Sequence, residues 1–457
     1  MRLFSSPSEV GARSGEAAWL RAMLDFEGAL AGALADVGLA DAPAAEEIAA
    51  VCAAGDLETA AGGAGSTGGW DLEALGAGTA RDGTPVPALL AQLRPHLSEE
   101  ARAVLHRGAT SQDVVDTAAM LVARRATAPL LADLDAAGDA AAALADRHRG
   151  DLAAGRTLLQ QASPITFGLR AAGWLGGLDD AAARLTAVRD ERLALQLGGA
   201  VGNLAALGDR GPAVAEALAR RLDLPAPPVP WHANRSRPVE LAAALGQVAG
   251  AAGKVGADVA LLAQTEVGEV AEGGGGGGSS TLPQKRNPVA AVTALAAARR
   301  TPGLVATMLV AMPGEQERAA GAWQAEAETL TELLGLSGEG VAAIRRCLEG
   351  LEVFPERMRA NLDLTDGLIM AESLTTALTA DLGRARAQEL VGGASRRALE
   401  DHRPLAATAA EVPEIADALG AERIAAALDP ATYLGSTEAI IDRALSTHRE
   451  RTSGGRP

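Results

Sequence analysis

Six consecutive glycines, Gly273 to Gly278, interrupt a chain whose other long stretches are written in strong helix formers. A glycine inside a helix costs about 1 kcal/mol relative to alanine, so six in a row exclude helix there and divide the surrounding text. The residues that follow are polar and stiff. Ser279 and Ser280 carry hydroxyls, Pro283 and Pro288 restrict the backbone, and Lys285 and Asn287 offer a cation and an amide. A mobile lead-in ending in a rigid polar cluster suits closure over an anionic ligand. Taken alone, the two serines would also fit a solvated Gly/Ser linker.

Between its interruptions the chain is rich in alanine, with aromatics at only 2% and polar positions filled mostly by Glu, Arg and Asp. That composition favours helices of high intrinsic propensity packed at close range, so the expected fold class is all-α. A net charge of −17 argues against a general nucleic-acid or anionic-membrane binder, since either needs a basic face. Attraction of an anionic substrate must then be local. Cys52, Cys347 and six scattered histidines supply neither a disulfide framework nor a CxxC or HExxH pattern. No metal and no cofactor is therefore expected, and a reducing cytoplasm fits. Met1 to Leu20 has no sustained apolar run, and no uninterrupted apolar segment of about 18 residues occurs, so secretion and membrane insertion are not expected. The glycines do not make a nucleotide-binding loop, because G-x-G-x-x-G matches any hexaglycine, no strand is predicted before it, and G-x4-G-K-[ST] is absent.

Trp19, Leu20, Met23, Leu24, Phe26, Leu30 and Leu34 recur at helical spacing, and Pro43 ahead of Glu46 and Glu47 marks a further helix start. Residues 60–78, rich in Gly, Ser and Thr, are predicted as loop. Two polar inserts each open a long helix. The first, His106 to Thr117, leads a helix to about Arg149, and its hydroxyls and Asp113 would also serve as helix caps. The second, Gly155 to Pro164, leads into a helix from Ile165 to Leu197. Residues 224–238 hold five prolines together with Trp231, His232, Asn234, Arg235 and Arg237, and are predicted to be irregular. Helix is expected again over 239–271, 289–309 and 322–348, and a smaller helical region after residue 350 ends in a disordered tail from Ser453. Helices of this length suit a long bundle.

Three polar inserts on a helical chain carry a resemblance. Gly278-Ser279-Ser280-Thr281-Leu282-Pro283-Gln284-Lys285-Arg286-Asn287-Pro288 resembles the third signature of the fumarase/aspartase superfamily, G-S-S-x-M-P-x-K-x-N-P, departing only at Leu282. Thr110-Ser111-Gln112-Asp113 resembles its first signature and Arg156-Thr157-x-x-Gln160 its second, in the family's order. Within the superfamily the chain most resembles the bacterial 3-carboxy-cis,cis-muconate cycloisomerase branch, on Gly108 to Asp113, Pro230-Trp231-His232, Glu315 to Arg318 with Trp323 to Glu326, and Gly367 to Glu372. The resemblance implies three domains, here 1–107, 108–350 and 351–457. It also implies a homotetramer with a shared central bundle, and active sites built from signatures of three different subunits.

The resemblance further implies chemistry β to a carboxylate through an aci-carboxylate carbanion. Ser279 falls at the catalytic base, while Lys285 and Asn287 fall at positions holding a substrate carboxylate. Thr110, Ser111, Thr157, Gln160 and Arg318 are further expected contacts for a small anionic polycarboxylate; Ser280, Gln161, His106, His232 and Arg235 are weaker candidates. A serine hydroxyl is a poor base in water, so loop closure must supply N–H groups and Lys285 to favour the alkoxide. One departure limits the chemistry. Many members carry a histidine directly after the R-T pair or directly after the glutamine, and here those positions are Leu158 and Gln161, neither of which transfers a proton near neutral pH. Lactonisation of a carboxymuconate tolerates this, since its nucleophile is a carboxylate already ionised at pH 7. Release of nitrite from nitrosuccinate tolerates it equally. A non-catalytic helical scaffold or an inactive paralogue is the alternative from another class.

Overall fold

The computed structural model describes residues 8–54, 66–67, 69–273, 278, 281–282 and 284–454. The chain divides into two compact units. One comprises Met1–Leu134, Ala181–Gly253 and Thr293–Ala342, the other Asp135–Asp180, Lys254–Val292 and Ala343–Pro457. The all-α expectation holds at the level of class: helices dominate, joined among the described residues by three two-stranded antiparallel pairs.

In the first unit the periodic apolar residues form the helix Glu16–Asp36, with Phe26, Leu30 and Leu34 fully buried. It packs against Ala42–Ala53, whose second residue is Pro43, and against Gly211–Leu222. The helix Leu72–Asp82 lies partly inside the stretch predicted as loop. Asp71 caps it by accepting from the Ala74 N–H, and Gly83 ends it at φ 73°, so a capped amphipathic turn outweighs the Gly/Ser/Thr composition. Close approach of small residues is realised between the helices Ser236–Leu262 and Val289–Ala311, where a Cβ built on Gly253 would stand 2.5 Å from the Ala298 Cβ.

In the second unit the region expected as a polar lead-in to a helix is instead a β-hairpin, Leu152–Thr157 paired with Gln160–Thr166. Its tip is Leu158-Leu159, with φ 51° and 65°, the left-handed geometry a two-residue hairpin turn requires. Gly155 sits at a register break, where a Cβ would meet the Ser163 carbonyl at 2.6 Å. The following helix therefore starts at Phe167 and stops at Arg192, with Pro164 in the strand. A second pairing, Val270–Glu272 with Leu351–Val353, replaces the expected helical text after Leu262. A separate core of Leu374, Leu378, Val391, Leu405, Ile415 and Ile424 holds the C-terminal helices together. The last helix, Thr437–Gly454, is fastened where His448 and Arg451 both reach Asp179, so the tail from Ser453 is helical to Gly454 and residues 455–457 lie outside the described residues.

Candidate active site

In the first unit the site is built around Asp113, the third residue of the helix Ser111–Arg147, whose side chain is fully buried. Its carboxylate accepts from the backbone N–H of Thr110, Gly198 and Gly199, each at 2.9 Å, and lies 2.7 Å from Nε2 of His232. With the carboxylate acting as the acceptor for all three backbone groups, Nε2 is the donor in that fourth bond. Asp113 thereby caps the helix and leaves the Thr110 and Ser111 hydroxyls without a protein partner among the described residues. Buried Gln112 donates to the His232 carbonyl at 2.9 Å and accepts from Arg318 Nε at 3.1 Å, while a second Arg318 nitrogen donates to the Ala200 carbonyl at 3.0 Å. Thr110, Ser111, His232 and the exposed Arg318 are thus brought together through Asp113 and Gln112.

His106 stands at the turn before this helix, with φ 61° and Nδ1 2.7 Å from Glu27 Oε1. Burial would lower its pKa, but the Glu27 hydrogen bond and charge prevail and hold it above the ordinary histidine value. Arg235 is placed in the core. Its guanidinium bonds both oxygens of Asp116, at 2.8 and 2.9 Å, engages Glu326, and lies 4.8 Å above the Trp231 ring. Burial raises the Glu326 pKa despite the Arg235 hydrogen bond and charge. With its donors taken by two carboxylates, Arg235 is an internal ion pair, contrary to the expectation that it meets substrate.

In the second unit Arg156 donates to both oxygens of Glu269, at 3.0 and 2.5 Å, and Asn361 donates to the same carboxylate at 2.8 Å. Glu269 immediately precedes the strand Val270–Glu272, so the second-signature hairpin is tied near its tip to the strand leading into the glycines. Thr157 and Gln160 flank the tip and are exposed, as are Leu158 (96%) and Leu159 (72%). Gln161 is half-buried and donates to the Asn361 carbonyl at 2.8 Å.

Both ends of the glycine loop are anchored. Gly273 donates to the Gly350 carbonyl, and a Cβ there would lie 2.4 Å from that oxygen. The Glu272 carboxylate accepts from the N–H groups of Ala290 and Ala291, capping the helix Val289–Ala311. Arg286 pairs with Glu352 at 2.6 Å and bridges to Gly278. Lys285 is exposed and Asn287 half-buried, both on this anchored segment; Ser279 and Ser280 lie outside the described residues. Sequence reasoning missed Asp116, Glu269, Glu326 and Asn361. Asp116 lies in the first polar insert and Glu326 in a stretch carrying the resemblance, but neither had a role there; Glu269 and Asn361 stand in no motif, and Glu269 meets its Arg156 partner 113 residues away in the chain.

Residues 8–303 match the family model described as lyase, and residues 367–444 match that of the adenylosuccinate lyase C-terminus. The chain belongs to this lyase family, within the fumarase/aspartase superfamily. It is 45% identical to the 3-carboxy-cis,cis-muconate cycloisomerase of Pseudomonas aeruginosa over 94% of this chain and 92% of that one. It is 40% identical to the nitrosuccinate lyase of Streptomyces davaonensis over 95% of this chain and 92% of that one. Among solved structures, the 3-carboxy-cis,cis-muconate lactonizing enzyme of Pseudomonas putida superposes with a TM-score of 0.89 at 40% identity, covering 98% of each chain.

Proposed function

We propose that the protein is a 3-carboxy-cis,cis-muconate cycloisomerase, closing the diene tricarboxylate to a carboxymuconolactone in protocatechuate degradation. The observation that carries this reading is the 45% identity to a curated cycloisomerase over nearly the whole of both chains. In the lactonising direction a substrate carboxylate oxygen adds to the alkene carbon β to a second carboxylate. The electron pair moves onto that carboxylate as an aci-carboxylate, and the α carbon takes a proton from the Ser279 hydroxyl. In reverse, the Ser279 alkoxide removes the proton and the lactone C–O bond breaks. Lys285 and Asn287 hold the carboxylate on which charge develops, and Thr110, Ser111, Thr157, Gln160 and Arg318 hold the others. No acid is needed for a carboxylate leaving group, which fits an exposed leucine, Leu158, at the hairpin tip. The protomer has three domains and assembles in the cytoplasm as a homotetramer, each site drawing its signatures from three subunits.

Incubation with 3-carboxymuconate, followed by ultraviolet loss of the diene, tests the reading. Turnover is expected from the wild type, and Ser279→Ala should lower kcat by about 100-fold or more while the assembly persists. A Ser279→Ala variant with full activity removes the base assignment. The second reading, nitrosuccinate cleavage, is favoured by the 40% identity to a nitrosuccinate lyase and by the same tolerance of a weakly basic leaving group. Nitrite release with no consumption of 3-carboxymuconate would establish it instead.

A further inference from the structure

We propose that His232 is a positioning residue that sets the anion-binding face of the first unit, and that it does not itself exchange a proton with substrate. The inference rests on the reading above that Thr110, Ser111 and Arg318 hold substrate carboxylates. The ring is only 4% exposed. A Cβ on Gly198 would stand 2.8 Å from its Cε1, so glycine backbone lies against the ring where a side chain would have to intrude, and Gly202 borders Nδ1 at ordinary contact distance. Nδ1 is enclosed as well and has no hydrogen-bond partner among the described residues. Nε2–H is committed to Asp113 at 2.7 Å. An imidazole so enclosed has no open path to a reacting carbon.

What the ring does reach is the carboxylate that joins three segments. Asp113 holds the Thr110 N–H at the start of its helix and the N–H groups of Gly198 and Gly199 in the turn. That turn continues to Ala200, whose carbonyl anchors Arg318, and the His232 carbonyl anchors Gln112, which accepts from Arg318 Nε. His232 therefore meets Gln112 through its backbone carbonyl, while its ring reaches the 198–200 turn and the hydroxyl-bearing start of the helix through Asp113. Without the ring, Asp113 loses a charge-assisted partner and can rotate among its backbone donors, taking Thr110 and the 198–200 turn with it.

The experiment compares His232→Gln, His232→Asn and His232→Leu in the full-length protein. A glutamine amide is long enough to place an N–H where Nε2–H stands, whereas an asparagine amide replaces Nδ1 and falls short of Asp113. The probe is tricarballylate, a saturated tricarboxylate, titrated by calorimetry alongside kcat and KM for 3-carboxymuconate. Loss of the buried bond is expected to weaken tricarballylate and raise KM by about tenfold in His232→Leu and His232→Asn, with kcat within about threefold of wild type. His232→Gln should restore both constants to within about threefold and keep every limb of the wild-type pH–rate profile. If His232→Leu does not fold, the contrast between His232→Gln and His232→Asn carries the same test. The proposal is overturned if His232→Gln loses kcat together with a near-neutral limb, which would mark proton transfer, or if neither His232→Leu nor His232→Asn alters binding. Wild type that binds tricarballylate but turns over neither 3-carboxymuconate nor nitrosuccinate rejects the functional reading alone, and positioning is then read from the binding series. Wild type that fails to bind tricarballylate overturns the positioning proposal.

Discussion

His106 carries one of the few histidine charges that burial makes consequential, because the Glu27 side chain it meets is wholly enclosed. Its folded-state pKa is raised above the unfolded value of about 6.5. The stability it contributes is therefore complete below about pH 6.5 and is lost as pH rises through the higher folded value. His106→Gln should flatten that dependence: urea midpoints at about pH 5 and about pH 9 should differ less in the variant than in the wild type, by an amount set by this one linkage. Arg156 offers a second residue-scale test. Removing it leaves buried Glu269 with Asn361 and the more distant Arg170, 3.7 Å away, whose own pKa burial lowers. Arg156 is itself about a fifth exposed, so Arg156→Gln is expected at the low end of the cost of breaking a buried pair, about 3 kcal/mol, measured by denaturant unfolding. Such pairs were invisible in the sequence. Arg156 was legible as half of a motif, but a carboxylate 113 positions away gives no local sign of being its partner.

At the scale of elements, the helices were legible wherever periodicity and propensity agreed. The helix starting at Val289 matches its expected start, and that starting at Ser111 begins within its polar insert. The second-signature hairpin was not. A two-residue turn with both φ positive normally announces itself by Asn-Gly, and Leu158-Leu159 supplies neither the small nor the polar residue that makes such a turn readable. The pairing of Val270–Glu272 with Leu351–Val353 was hidden for a different reason, since three-residue strands leave too short a pattern to separate from helix. Close helix packing gives the prediction at this scale. Gly253→Ala gains helix propensity of up to about 1 kcal/mol, but its Cβ must lie 2.5 Å from Ala298 Cβ, and neither atom can rotate away. Overpacking of this kind costs about 1–3 kcal/mol, so the net effect expected is a lower calorimetric Tm, and an unchanged or higher Tm would show that the two helices separate freely.

For the whole molecule, the proposed tetramer with sites shared among subunits makes a prediction no single chain could. A chain disabled at Ser279 and another disabled at Thr110 and Ser111 should each be nearly inactive alone. When mixed, dissociated and reassembled, they should recover part of the lost activity, because some sites then combine an intact first signature from one subunit with an intact third from another. Reassembled mixtures without any recovered turnover would place all three signatures of a site on one chain.

The amino-acid sequence by itself determined the helical class and the order of the three polar inserts. Each depends on residue type within a few positions, through propensity and motif spacing. Only the tertiary structure decided how the polar residues divide their work. Arg235 was a weaker candidate for substrate contact than Arg318, and burial between Asp116 and Glu326 makes it internal, while Arg318 remains exposed on two supports. His232 looked like a candidate for substrate contact, yet the Asp113 carboxylate and the Gly198 backbone enclose its ring. Charge and hydrogen-bonding capacity belong to the residue, but whether they face a ligand or another side chain depends on contacts between segments far apart in the chain.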